Sequence, residues 1–141
     1  MTDRKTLVGL LGRVQLFEGL SKKDLDRIVQ ASREVDTPAG RAVVTEGAPG
    51  VGFHLILDGT ANVSRRGRRV RRLAPGDSFG DIALIDGGVR SATVTAETPL
   101  RLLSLTSWNF KPLLLEQPKL TYKLLLQLCA RLRDAEKRPD I

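Results

Sequence analysis

Residues 79–96 include residue types that could hold a phosphate. Gly80 allows the backbone to approach a ligand closely, and the apolar run at 82–85 fits one or two turns of helix. The free N–H groups and the dipole of such a helix attract an anion. Arg90 follows, and its planar guanidinium can donate hydrogen bonds to two phosphate oxygens at once. The spacing therefore predicts an anion-binding loop.

Two glycines and an alternation of apolar and polar residues indicate which elements follow the short helix. Gly87 and Gly88 are expected to end the short helix in a left-handed or extended conformation. Val89 and Arg90 then lead into a strand, because apolar and polar residues alternate over residues 91–96. Arg90 is thereby predicted at the entrance of a strand, close to the helix.

Residues 79–94 resemble the phosphate-binding cassette of cyclic nucleotide-binding domains. The shared order is Phe-Gly-acid-aliphatic-Ala-Leu-aliphatic, a short spacer, and then Arg-Ser-Ala-Thr-Val. This family includes the regulatory subunits of protein kinase A and the bacterial catabolite activator. The resemblance implies a cassette at residues 79–92 and a regulatory module that binds a cyclic nucleotide. It implies neither catalysis nor a cofactor or metal.

The resemblance also implies which residues surround the cyclic phosphate. Arg90 would pair with the phosphate, and Ile82, Ala83 and Ser91 would lie around it. The backbone N–H groups of Ala83 and Ser91 would donate to the phosphate, and the Ser91 hydroxyl would add another donor.

For the sugar, the resemblance implies Gly80 and Asp81. The family usually has a glutamate that accepts a hydrogen bond from the ribose 2′-hydroxyl, whereas this chain has the shorter aspartate. The sugar would then lie deeper, or a water would bridge the gap. The adenine is expected under the helix that follows the strands, near residues 131–136. The Arg-Ser-Ala order favours cAMP, and Ser91 leaves cGMP as the alternative.

A second interpretation of the same residues is a pocket that has lost its ligand. Asp81 and Arg90 would then pair with each other, and the fold would serve as an interaction or oligomerisation module. The retained arginine favours ligand binding, because a guanidinium beside a ring of N–H groups needs an anion.

The chain has a net charge of +7, and six of the eight residues at 65–72 are arginine. This run is predicted to be a solvated hairpin with its tip at Arg66 and Gly67. A nucleic-acid-binding patch is the alternative, but no aromatic residues interleave for stacking on bases.

Length and composition predict a single domain at residues 1–141. The chain is 41% hydrophobic and 28% charged, which suits one buried core and argues against a membrane protein. A lone cysteine, Cys129, and the lack of a secretory leader indicate a cytoplasmic protein. No DNA-binding domain is expected within these residues.

The predicted fold is mainly β with flanking helices, and its centre is a small antiparallel β-barrel or jelly roll (a double-stranded β-helix) at residues 36–105. Strands are predicted at 41–45, 52–57, 60–64 and 100–105. His54, the only histidine, is expected to be an ordinary strand residue, because no His/Cys cluster exists for a metal.

Helices are predicted at residues 1–35 and 106–138. Apolar residues over 7–17 indicate one amphipathic helix, and Ser21 resembles the start of a capping box for a second helix that ends near Arg33.

After the strands, Thr106 or Ser107 is expected to cap a helix that holds Trp108 in the core or at the cap. Pro112 should kink or split this helix, and Pro118 should open a longer one. Leucines recur four apart on the longer helix and could face the core or a homodimer partner. Its movement would pass the signal to an effector that the sequence does not name. These leucines are Leu120, Leu124, Leu128 and Leu132.

Overall fold

Two helices precede the strands. In a computed structural model that describes residues 2–50 and 52–136, α1 is Arg4–Leu11 and α2 is Lys22–Ala31. A short 3-10 helix, Gln15–Phe17, lies between them.

The helix predicted to continue to Phe17 is wrong, because Gly12 ends α1. Gly12 is the C-cap residue, and glycine has a low helix propensity. The break lets Leu16 and Phe17 turn inward, where both are fully buried. Ser21 caps α2 as predicted, and its hydroxyl accepts a hydrogen bond from the Asp24 N–H at 3.1 Å.

Within the described residues, eight strands form two four-stranded antiparallel sheets. The strands are β1 (Arg33–Thr37), β2 (Ala42–Val44), β3 (Gly52–Asp58), β4 (Ala61–Arg65), β5 (Arg68–Leu73), β6 (Ser78–Phe79), β7 (Thr93–Ala96) and β8 (Leu100–Thr106). One sheet has the order β1-β8-β3-β6 and the other β2-β7-β4-β5. No strand pairing joins the two sheets in this part of the chain. The predicted mainly-β fold is confirmed as a jelly roll of two packed sheets, not a closed barrel.

Strand β1 begins at Arg33, inside the region predicted to be helical up to residue 35. Its sequence, REVDT, contains one apolar residue among five, so it carries little strand signal. Arg101 on β8 binds two of its carboxylates, Glu34 at 3.0 Å and Asp36 at 2.9 Å. Pairing with β8 therefore forms a strand that its own sequence does not predict.

The sheet that contains β3 and β8 has a core on each face. On one face, the ring of Phe17 lies edge-on to Phe53 and Phe110 at centroid distances of 5.4 and 6.3 Å, and this cluster joins the sheet to the helices. On the other face, Ile56 and Leu102 pack against the second sheet. Alternation of side chains along each strand produces both cores.

Two helices follow the strands, α4 (Ser107–Glu116) and α5 (Pro118–Glu136). Thr106 caps α4, and its hydroxyl accepts the Asn109 N–H at 3.3 Å. Residues 137–138 of the predicted helical segment lie outside the described residues.

For two residues of α4 the structure excludes one of the two predicted alternatives. Pro112 lies inside α4 and does not split it. The break falls at Gln117 instead, because the residue before a proline is disfavoured in the α conformation. Trp108 is not in the core, since 62% of it is exposed, and it lies in the first turn of α4 beside the Thr106 cap.

His54 lies on β3, and its Nδ1 is 2.7 Å from the Ser104 Oγ. No cluster of three or more His, Cys, Asp or Glu side chains that could hold a metal occurs in the described part of the chain. Across residues 2–50 and 52–136, no helix combines the length and apolar character needed to cross a membrane.

Candidate functional site

A cavity of about 490 Å³ lies between the second sheet and α3 (Asp81–Asp86). Its volume falls within the range of small-molecule sites, about 300–1,000 Å³. All six residues that the sequence singles out line this cavity. They are Gly80, Asp81, Ile82, Ala83, Arg90 and Ser91.

Two glycines in the left-handed region bound α3. Gly80 precedes the helix with φ +87°, and Gly87 ends it with φ +67°. The Gly87 N–H donates to the Ala83 carbonyl at 2.8 Å. Other residues rarely adopt this backbone conformation, so the glycines set the length of the helix. The prediction that glycines flank a short helix is confirmed, and buried Leu84 anchors that helix to the core.

Arg90 is a buried arginine that pairs with no carboxylate among the described residues. It is 8% exposed, and its Nη2 donates a hydrogen bond to the Gly52 carbonyl. Its Nε has no hydrogen-bond partner in the described part of the chain. Burial lowers the pKa of the guanidinium below its ordinary value, but arginine stays protonated in proteins. A buried cation with a free donor favours an anion.

Two glycines also make room for the Arg90 side chain. A Cβ atom on Gly50 or on Gly80 would collide with the guanidinium. The backbone ties the two loops together as well, because the Gly50 N–H donates to the Gly88 carbonyl at 3.3 Å and the Arg90 N–H to the Ala48 carbonyl at 3.0 Å. These contacts hold the Arg90 side chain in one position. The residue lies shortly before β7, where the sequence predicts it.

Asp81 pairs with Arg131 on α5, not with Arg90. The Arg131 Nη1 lies 2.5 Å from the Asp81 Oδ2, and the Asp81 Oδ1 accepts the Ile82 N–H at 2.9 Å. The Asp81–Arg90 pairing expected for a pocket without ligand is wrong. The observed pair joins the cassette to the C-terminal helix.

The other predicted phosphate residues present different groups to the cavity. Ile82 has its N–H occupied by Asp81, so it can donate to a phosphate only if that bond breaks. Ala83 is buried in the wall. Ser91 is exposed at the mouth, where its carbonyl accepts the Arg65 Nε at 3.1 Å.

Sequence reasoning missed two arginines of the basic hairpin that line the same cavity, Arg65 and Arg71. The predicted hairpin itself is confirmed, since β4 and β5 meet at Arg66 and Gly67. Strand alternation could have identified Arg65, because side chains two residues apart on a strand point to the same face. Val63 lies two residues earlier on the same strand and also lines the cavity.

A family model described as the cyclic nucleotide-binding domain matches residues 34–117, which include the whole cassette. The chain belongs to this family. The resemblance read from the cassette is therefore confirmed. We refer to the cavity beside α3 as the nucleotide pocket, because it is the candidate site for the ligand.

Similar proteins agree with this membership. The domain is 28% identical over 129 residues to a CRP-like cAMP-activated global transcriptional regulator of Mycobacterium tuberculosis, and the match covers 88% of this chain and 58% of that protein. The chain therefore spans a little over half the length of this relative.

Solved structures show the same fold. The N-terminal domain of a transcriptional regulator from Streptomyces coelicolor A3(2) has a TM-score of 0.84 and 27% identity, over 94% of this chain and 98% of that one. The regulatory domain of Toxoplasma gondii PKA, solved with cAMP, has a TM-score of 0.72 and 30% identity, over 79% of this chain and 46% of that one.

Proposed function

We propose that this cyclic nucleotide-binding domain senses cAMP, with cGMP as the alternative ligand, and has no catalytic role. The observation that carries the proposal is Arg90, a buried guanidinium whose Nε has no partner among the described residues. A cyclic phosphodiester is a singly charged anion near neutral pH, and its oxygens would satisfy this donor. The names of two similar proteins, which specify cAMP, support the choice of ligand.

In this proposal different cassette residues contact different parts of the ligand. Arg90, Ala83, Ile82 and Ser91 would contact the cyclic phosphate, and Gly80 and Asp81 would contact the ribose. The 2′-hydroxyl would donate to the Asp81 carboxylate, which already accepts from Arg131 and from the Ile82 N–H.

The signal would leave the domain through α5. A ligand that engages Asp81 changes the environment of Arg131, which lies on that helix. A ligand shifts a helix only if it binds one arrangement better than another, and the shared carboxylate provides such a difference. The effector that receives the signal would be a further domain or protein.

We also propose that α5 mediates a homodimer. It exposes several large apolar side chains, which include Leu125, Leu126 and Leu132. Exposed apolar patches mark interaction surfaces. The proposal places the protein in the cytoplasm, where the free, exposed thiol of Cys129 would stay reduced.

Titration calorimetry with cAMP tests the nucleotide site. The domain should bind cAMP one to one, and Arg90→Ala should weaken binding by about 2–5 kcal/mol, or roughly tenfold to a few thousandfold. Arg68→Ala is the matched control, because Arg68 is an exposed arginine of the hairpin that does not line the cavity. It should leave the affinity unchanged.

Asp81→Ala separates the sugar from the phosphate. It should reduce the discrimination between cAMP and 2′-deoxy-cAMP, because the Asp81 carboxylate would accept from the 2′-hydroxyl. Arg90→Ala should weaken both ligands alike.

A ligand-free interaction module is the competing function, and one observation favours it. Arg90 already donates to the Gly52 carbonyl, and Asp81 already pairs with Arg131, so both groups have internal partners. Failure of folded wild-type protein to bind cAMP or cGMP at millimolar concentration would support this function. Unchanged cAMP affinity in Arg90→Ala would contradict the assigned phosphate site.

A further inference from the structure

A second cavity, of about 680 Å³, opens away from the cassette. Its lining comes from the end of α2, from β1, β2, β3 and β8, and from the start of α4. None of the described residues that line it also lines the nucleotide pocket. Its volume lies in the range of small-molecule sites, about 300–1,000 Å³.

A row of side chains across the first sheet forms the floor of this cavity. Strand register places Arg33 opposite Ser104, Ser104 opposite His54, and His54 opposite Phe79. Paired positions point to the same face of a sheet. The first three residues of the row line the second cavity, whereas Phe79 lines the nucleotide pocket.

The charges around this cavity favour an anion. Among the described residues, the charged side chains that line it are two arginines, Arg33 and Arg41, and no Asp or Glu is among them. Neither guanidinium has a hydrogen bond or ion pair with another residue in the described ranges. The carboxylates next to Arg33, on Glu34 and Asp36, are bound by Arg101. Burial, followed by the charge of Arg90, lowers the pKa of His54 to about 4, so its ring is neutral at neutral pH.

The interior of the cavity is mixed in character. Val35, Val43 and Leu102 provide an apolar wall, which suits a hydrocarbon or aromatic body. Thr37 also lines the cavity and is 8% exposed, and its hydroxyl could hydrogen-bond to a polar group of a ligand.

We propose that this second cavity binds a small organic carboxylate with an apolar body. The carboxylate lies between the guanidinium groups of Arg33 and Arg41, and the body lies against Val43 and Leu102. The ligand differs from a nucleotide in site and in chemistry, so the inference is independent of the proposed cAMP function.

Trp108 provides a direct readout, because it is the only tryptophan of the chain and lines the cavity. Octanoate and 3-phenylpropionate are the probes, and 1-octanol is the uncharged control. Titration of wild-type protein should produce a saturable change in Trp108 fluorescence with at least one carboxylate at low millimolar concentration. The change should not occur with 1-octanol, because the alcohol lacks the charge that the arginines bind.

Variants test the assigned residues. Arg33→Gln and Arg41→Gln should each weaken the carboxylate by about tenfold, as expected for loss of a charged hydrogen bond. Arg68→Gln removes an exposed arginine from the hairpin and should change nothing. Circular dichroism of every variant establishes that the fold is retained, and the two cavity variants are independent, so one keeps the test valid if the other does not fold.

Four results would overturn the proposal. The first three are no saturable response to either carboxylate, equal binding of 1-octanol, and equal weakening by Arg68→Gln and the two cavity variants. Displacement of octanoate by cAMP on a one-for-one basis would also overturn it, because the two cavities have separate linings.

Discussion

His54 makes the stability of the domain depend on pH. Burial, and then the nearby charge of Arg90, lower its pKa from 6.5 to about 4. Between these two values the unfolded chain binds a proton that the folded protein does not, so stability falls as the pH falls from 6.5 towards 4. The full loss is roughly 3 kcal/mol. Urea denaturation at a series of pH values measures it.

His54→Gln is the control for this effect, since an amide can keep a hydrogen bond to Ser104 but does not titrate in this range. The part of the pH dependence that belongs to His54 is the difference between wild type and variant. Parallel curves for the two proteins would contradict the assigned pKa.

Gly80 and Gly76 form a matched pair of positions for testing the close contact between Gly80 and the Arg90 guanidinium. Both have φ in the left-handed region, at +87° and +95°, so alanine should strain either backbone by about 1 kcal/mol. A Cβ at Gly76 meets open space, whereas one at Gly80 collides with the Arg90 guanidinium and the Gly52 carbonyl.

Gly80→Ala should therefore destabilise the domain by at least twice as much as Gly76→Ala, and it alone should impair cAMP binding. Denaturant titration and calorimetry of the two variants provide the comparison. Equal losses of stability would show that the Gly80 backbone, and not its contact with Arg90, limits the site.

At the scale of elements, α5 carries both buried and exposed apolar side chains. The first three leucines of the repeat face the core, because Leu120 and Leu124 are buried and Leu128 packs against the same core. Leu132, the last of the four, is exposed. The sequence alone does not decide whether these leucines face the core or a dimer partner. The structure shows that the first three of them belong to the core.

Lysine substitutions on the two sides of α5 should have opposite outcomes. Leu124 is 2% exposed, so Leu124→Lys should unfold the domain by burying a charge. Leu125 is 53% exposed, so Leu125→Lys should leave the fold intact and dissociate the proposed dimer. Analytical ultracentrifugation with circular dichroism distinguishes them. A wild-type protein that is monomeric at all concentrations would contradict the dimer.

At the scale of the whole molecule, the excess positive charge is concentrated in the hairpin. Arg66, Arg68 and Arg69 are exposed there, while Arg72 pairs with Glu97 at 2.8 Å. The domain should bind duplex DNA weakly, without sequence preference, and with a steep dependence on salt, because only phosphate contacts are available.

Electrophoretic mobility shifts over a range of salt concentrations measure this binding. Neutralising Arg66, Arg68 and Arg69 together should reduce the salt dependence without changing cAMP affinity. Sequence-specific binding that persists at physiological salt would instead show that the hairpin recognises a nucleic-acid sequence.

The sequence by itself determined the cassette and the general architecture. The left-handed glycines that bound α3 and the turns between strands act through backbone conformation, which depends on residue type and near neighbours. The family resemblance rests on such local residues. The six residues that sequence reasoning singled out therefore all line the cavity, whereas Arg65 and Arg71, which also line it, were missed.

Only the tertiary structure decided which side chains meet. Asp81 pairs with Arg131 fifty residues away, Arg90 donates to Gly52 across 38 residues, and β1 pairs with β8, whose Arg101 binds two of its carboxylates. The second cavity likewise depends on the register of β1, β8 and β3. Such contacts are set by how strands and helices pack, and no local pattern of residues records that packing.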